Sequence, residues 1–527
     1  MISDSTKKYL QQINYISRPE ATPDVPLIHV DHVASKIATL YEKLRQVIDY
    51  QEDHLLRKNT IERVLKRRLL LSSDPEEIAP PLVFELIRGG YFPNDKIPET
   101  KIEEIKRLLA KYIFLIESSP ASISRSERRK LAGWLESLAS SEIEEKLVPR
   151  AKEKALLDYM VEELMARLVF PESFLTDEQR KKELVFIASQ KALLKADSAL
   201  LNWRLLKFKF PEFSDSPGKD YLITFSQNLS LIAREIEEEI NHPLIKIIQR
   251  KAYGFSPIFW LFQDIVLEDP QKALGLFGNP ESLETRIKFA YDKRYRLLKK
   301  NNRRWGVRWV TSILLSKMLL ALLIEVPYDR LHGNFSTLAL GVNMFVPPFL
   351  MFLIISSIRV PSADNKNRLS WEAMKIVYPK DGLEPIRIEE VKEKTGFIGL
   401  FLKLFFWSTS TAIFAGVIYL LLKINFSWLS IVIFLAFFSL ISFSGMKIEA
   451  TTKQLKVGEK EEGIIGFIAD IFFLPFRNIG KWLSGQLQKY NLIILILNLF
   501  FEAPLQIFFE FLESWRGYIK KKKEEME

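Results

Sequence analysis

Lys317 stands near the middle of an apolar run from about Trp309 to Tyr328, and Glu325 follows it by eight residues. A charge at mid-bilayer costs at least ~2.5–3.5 kcal/mol on insertion scales, so such a residue faces protein or water rather than lipid. Counted in depth from the basic end of the run, Lys317 is level with Ser408, Thr409, Ser410 and Thr411 in a third apolar run and with Ser439 in a fourth; Glu325 is level with Asn343 in the second. The chemistry these residues would support is a polar pocket or ion path inside a helix bundle. The plainer alternative has Lys317 snorkelling while the hydroxyls bond carbonyls of their own helices, and it is the favoured one. Pro347-Pro348 would kink the second run.

Other chemistry finds little footing. Gly218-Lys219-Asp220 is the nearest approach to a phosphate loop, but it lacks the hydroxyl residue after lysine and the glycine five positions earlier. The metalloprotease, nucleophile-elbow and dinucleotide signatures are missing. His29-Val30-Asp31-His32 has two metal-ligating side chains, yet it follows a proline-rich linker without a further ligand nearby, so a solvated turn is the better reading. With no cysteine in the chain, thiolate chemistry and disulfides are excluded. No catalytic residue, cofactor or metal is assigned, and the balance leans against an enzyme.

The elements that must position the polar layer are four runs, at about 309–328, 337–358, 400–422 and 426–446. A helix needs roughly 20 apolar residues to cross a hydrocarbon core of about 30 Å, and each run reaches that length. Between Arg286 and Arg308 there are ten Lys/Arg against the single acid Asp292. Lys299, Lys300, Arg303, Arg304 and Arg308 lie directly before the first run, where basic residues meet anionic lipid and hold their side in the cytoplasm. Placement therefore favours a lipid surface over nucleic acid as the reason for a net charge of +10. Connection 359–397 carries eight Lys/Arg and 447–460 is lysine-rich, whereas 326–336 has only Arg330. Alternation leaves both termini inside a cell membrane crossed four times. The first residues lack a basic segment followed by an apolar one, so no cleaved signal peptide is expected.

Around that bundle (305–446) the expected class is an all-α integral membrane protein. Residues 1–28 read as a short helix and linker, and 29–304 as a helical cytoplasmic domain punctuated by proline. One long helix is predicted over 31–71, with apolar seam positions at Ile37, Leu40, Leu44 and Val47 interrupted at Gln51, His54 and Lys58. Pro80-Pro81 should open a helix stopped at Gly89-Gly90. Thr176 with Gln179 reads as a capping box for a helix to about Lys207. A helix is expected over 219–241, two over 243–254 and 257–268, and one from Pro280 running unbroken into the first span.

In loop 359–398, Met374, Ile376 and Tyr378 alternate, Lys380-Asp381-Gly382 turns, and Ile386 and Ile388 alternate again. This predicts a hairpin that 447–463 joins in a small β-sheet. Residues 464–527 form an amphipathic pair, favoured as interfacial or re-entrant helices over two further spans. Antiparallel register about Tyr490 would pair Arg477 with Glu502. The functional expectation is a membrane-anchored interaction or scaffold protein whose cytoplasmic domain binds a protein partner. The alternative is a transporter or channel component that uses the layer around Lys317 and Glu325, with homo-oligomers compensating for few spans.

Overall fold

A computed structural model describes residues 2–18, 25–30, 53–118, 124–170, 177–214, 217–333, 335–357, 363–379, 385–388, 397–452, 455, 464–489, 511 and 515. It is 83% helical with almost no sheet, an all-α fold. Two units divide the chain. One comprises Ser5–Ala252 with Leu383–Glu389 and Leu492–Glu527; the other comprises Met1–Asp4, Tyr253–Gly382 and Glu390–Asn491.

The first unit holds α1 (Asp4–Ile16), α2 (Asp53–Leu69), α3 (Pro75–Arg88), α4 (Thr100–Glu117), α5 (Arg125–Leu147), α6 (Ala151–Arg167), α7 (Glu178–Ser189), α8 (Ser198–Lys209), α9 (Lys219–Gln227) and α10 (Leu229–Ile240). Short polar caps set these starts. Asp74, Ser124, Asp177 and Asp197 each accept a backbone N–H from the first turn of α3, α5, α7 and α8. α5 lies centrally, with α2, α4 and α8 against it, because Leu131, Leu135, Leu138 and Leu147 recur at helical spacing and are buried. α1 docks on α6 through Tyr9 stacked on Tyr159 at 5.0 Å and Thr6 hydrogen-bonded to the Tyr159 hydroxyl at 2.6 Å.

Several expected boundaries move. α3 begins at its Asp74 cap and carries Pro80 and Pro81 inside. Asp177, one residue later than expected, caps α7. The helix expected to reach Lys207 breaks at a π-helical turn, Gln190–Leu194, after which Lys195 takes a left-handed conformation with φ 50°. Asn228 divides α9 from α10. Lys58, expected to interrupt the apolar seam, is buried against Glu62 and Asp197 at 3.0 and 3.2 Å. Residues 31–52 of the expected long helix lie outside the described residues.

The hairpin does not form. Met374 and Ile376 belong to a helix, Ala363–Val377, whose buried residues Leu369, Ala373, Ile376 and Val377 follow the helical period. Three alternating residues, the last of them beyond the helix end, are too short a run to set against the helical period of the residues before them. Ile386–Arg387 is a strand, but its partner is Leu168–Val169, in parallel register. Ile448 is likewise helical.

The second unit contains most of α11 (Pro243–Glu268), continuous through Gly254 and Pro257, then α12 (Ala273–Gly278) and α13 (Pro280–Leu320). Asn279 caps α13 by accepting from Glu281 and Ser282, with Pro280 in the first turn, and the helix runs 41 residues as expected. A π-helical turn, Ala321–Glu325, leads into α14 (Val326–Leu331); α15 (Thr337–Ser357), α16 (Ala363–Val377), α17 (Phe397–Lys423), α18 (Trp428–Thr452) and α19 (Ile464–Lys489) follow. Among the described residues, three helices are long and apolar enough to cross a membrane: Thr337–Ile354, Lys403–Lys423 and Trp428–Glu449. The 309–328 run is helical but, among the described residues, is not one of the three.

The tightest association in this unit is α18 with α19. Phe476 is fully buried, 4.5 Å from Phe438 and 4.7 Å from Phe414 between ring centroids. A side chain at Gly480 would meet the Ser439 carbonyl oxygen at 2.0 Å, so only glycine lets the two backbones approach there. α19 is thus built into the helix packing. α17 is the outlier, with 11% of its apolar span buried against 50% for that of α18.

Candidate functional site: a buried polar cluster beside a π-helical turn

Lys317 and Glu325 form an ion pair, Nζ to Oε1 at 3.0 Å, with side chains 0% and 1% exposed. Their sequence spacing argues against this. In a regular α-helix eight residues turn about 800°, which sets the two roughly 80° apart. The π-helical turn widens the helix by one residue, so the spacing acts as seven residues, about 20° from eclipsed. Glu325 is thereby brought round onto the face of Lys317. The local cause is Pro327, which has no N–H to continue the ladder and whose ring clashes with the carbonyl four residues back. The Val326 N–H instead reaches the Ala321 carbonyl, five residues back.

The other Glu325 oxygen accepts from the Asn343 side-chain amide of α15, itself 1% exposed. The Phe437 ring of α18 lies 4.8 Å from the Lys317 ammonium, so three helices close the cluster. Among the described residues, two oxygens remain unanswered. Asn343 Oδ1 is buried without a hydrogen-bond partner, and so is Oδ1 of Asp329, one helical turn beyond Glu325. Asp329 Oδ2 accepts from the Ser430 hydroxyl at 3.3 Å.

The remaining layer residues stay apart from this cluster in their hydrogen bonding. Ser408 donates to the Phe405 carbonyl at 3.0 Å and Thr409 to the same carbonyl at 2.8 Å, each within its own helix. Thr411 is exposed. Ser439 is buried with its hydroxyl unpartnered. Pro347 and Pro348 lie buried within α15.

At the basic end, much of the expected charge is already answered. Arg286 and Lys293 pair with Glu268, Arg294 with Asp264 at 2.9 Å, and Lys288 with Glu284 at 2.7 Å. Lys299, Lys300 and Arg304 are exposed on α13, while the side chains of Arg303 and Arg308 lie outside the described residues. Arg477 pairs with Asp470 at 2.6 Å, seven residues earlier on α19; Glu502, its expected partner, lies outside the described residues. Among the described residues no group of three or more His, Cys, Asp or Glu could hold a metal.

A buried lysine–glutamate pair that no sequence motif marks lies in the first unit. Lys111 on α4 donates to both Glu142 oxygens (3.1 and 2.9 Å) and to the Phe213 carbonyl (3.0 Å), and its ammonium sits 4.2 Å from the Phe213 ring centroid. The Tyr112 hydroxyl donates to Glu142 at 2.8 Å. Burial pushes the Tyr112 hydroxyl well above its ordinary value and lifts the Glu142 carboxyl against the pull of Lys111. The signal available was Lys111 sitting among Leu108, Leu109, Tyr112 and Leu115 on a buried helix face.

No family model matches the chain, no curated protein is similar to it, and no solved structure matches its fold.

Proposed function

We propose that this is a multi-pass membrane protein that anchors a large helical domain at the cytoplasmic face, where that domain binds a protein partner. The observation that carries the reading is the division of labour along the chain. The three apolar helices lie in one unit, and Ser5–Ala252 form another with its own buried apolar core. The 309–328 run completes four spans, the polar pair Lys317–Glu325 being neutralised within the bundle. Exposed Lys299, Lys300 and Arg304 mark the cytoplasmic end, facing anionic lipid in a cell membrane, with both termini on that side. The test is co-purification of the full-length protein from membranes. A stoichiometric protein partner, lost when exposed residues of 5–252 are changed, supports the anchor. A thermal shift that depends on a small solute, with no such partner, would favour the transport reading instead.

A further inference from the structure

One short segment of the chain folds with the unit that does not contain its neighbours. Leu383–Glu389 belong to the first unit, although the residues before them, to Gly382, and after them, from Glu390, belong to the second. Ile386–Arg387 lie in parallel register on Leu168–Val169, which follow α6 directly, and the Ile388 N–H donates to the Val169 carbonyl at 3.1 Å. Ile388 is 3% exposed, so a buried side chain anchors the segment as well as its backbone. A strand pair of two residues is marginal by itself. It can open without unfolding the helices around it.

This segment leads into α17. Ile388 and Phe397 are nine positions apart, so the connection between them reaches at most about 32 Å. α17 itself is held unevenly along its length. At its far end Leu421 is buried in one apolar cluster with Phe426 and Phe434, Val417 and Ile418 pack against that cluster, and Asn425 turns the chain with φ 59°. Toward its start Leu400, Phe401, Leu404, Phe405 and Trp407 are exposed. Of the three apolar spans it is the least buried, at 11% against 28% and 50%. A helix fixed at one end and unpacked at the other is a lever, and the strand pair holds the chain that pulls its loose end.

We propose that Ile386–Ile388 are a strap through which the first unit sets the tilt of α17, with the turn at Lys423–Asn425 as the hinge. Docked on Leu168–Val169, the strap limits the swing of the cytoplasmic end of α17; released, it lets that end move through lipid. From the hinge to Leu404 the helix is about 28 Å long, so a tilt change of about 10° moves Leu404 by about 5 Å. A partner bound to the first unit acts on the bundle by this route. The proposal rests on the anchor reading in taking α17 as a span, whereas the docking of the strap does not depend on it.

The cysteine-free chain suits pairs of introduced thiols, read in the full-length protein in lipid nanodiscs. Val169→Cys and Arg387→Cys, register partners that are both exposed, should be joined by a short bifunctional maleimide, and no crosslink would overturn the strap. Spin labels on Leu404→Cys and Met446→Cys read the loose end of α17 against α18; labels on Leu422→Cys and Trp428→Cys read the hinge. Ile388→Pro removes the N–H bonded to Val169 and should shift or broaden the first distance by about 5 Å while leaving the second unchanged. Where that variant fails to fold, a glycine–serine insertion between Glu393 and Lys394 slackens the tether with the strand pair intact, and the same shift is expected. Unchanged distances in the insertion variant would overturn the lever, and so would an equal change at both pairs. Rapid labelling of Trp407→Cys by a water-soluble thiol reagent would instead overturn the anchor reading, and the lever with it, while the crosslink stood.

Discussion

Two buried lysine–glutamate pairs, one in each unit, differ in how completely their surroundings answer them. Around Lys111 the ammonium meets both Glu142 oxygens and the Phe213 carbonyl, and Glu142 receives Tyr112 as well. Around Lys317 the ammonium meets one Glu325 oxygen and a ring face, and two nearby oxygens lack donors. A satisfied network rigidifies a core, whereas an unsatisfied one needs something added. The contrast sets a fully answered core network against one whose acceptors are only partly answered among the described residues.

The sharpest way to break this contrast is at Lys111. Replacement by Met leaves Glu142 buried without its cation, and removing one partner of a buried pair costs about 3–5 kcal/mol. Chemical denaturation followed by helical circular dichroism should show that loss, and a loss below about 1 kcal/mol would make the pair incidental.

Lys317→Leu should cost less, roughly 1–3 kcal/mol as a lowered melting point in detergent, because the Lys317 ammonium satisfies one carboxylate oxygen where that of Lys111 satisfies two and a backbone carbonyl. A snorkelling Lys317, the favoured expectation from sequence, would be dispensable as a charge. The ion pair reverses that expectation, and a variant as stable as the wild type would restore it.

An ion-pair cluster in the first unit offers a smaller test. Burial tends to raise the Glu62 carboxyl, but the Lys58 and Lys66 ammonium groups outweigh it and hold Glu62 below its ordinary 4.5. A depressed acid contributes stability that is full above the unfolded value and is lost as pH falls through the folded one. Between about pH 6 and 3 the wild type should therefore lose on the order of 1 kcal/mol more than Glu62→Gln. Parallel pH profiles would show that Glu62 contributes nothing.

The smallest effect is expected from a deletion. Removing the exposed Leu323 converts the π-helical turn to regular helix and shortens the spacing of Lys317 and Glu325 from eight positions to seven, still on one face. Stability should change by less than about 1 kcal/mol. Inserting an alanine there rotates Glu325 away and should resemble Lys317→Leu.

How much was legible follows from the range of each interaction. Asn279-Pro280, together with the lack of any proline from there to Pro327, predicts α13, because caps and propensity act within a few residues. Four apolar runs declare themselves by length alone. The polar layer was legible as residues at similar depth, and of those named, Lys317, Glu325 and Asn343 do meet. Their geometry was hidden, because the π-helical turn shifts the register by one residue and only Pro327 hints at it. The expected hairpin over 374–388 rests on three alternating residues, too few to outweigh the helical period of Leu369, Ala373, Ile376 and Val377. Lys111 and Glu142 lie 31 residues apart on separate helices, and no local pattern announces such a pair.

The most direct test of the account is the sidedness of the chain. The native sequence has no cysteine, so single cysteines report cleanly. In intact cells, cysteines replacing Ser5 and Glu525 should resist a membrane-impermeant thiol reagent until the membrane is opened, while one replacing Asn334 should react at once. Labelling of the Ser5→Cys variant in intact cells, or protection of Asn334→Cys, would contradict the four-span anchor.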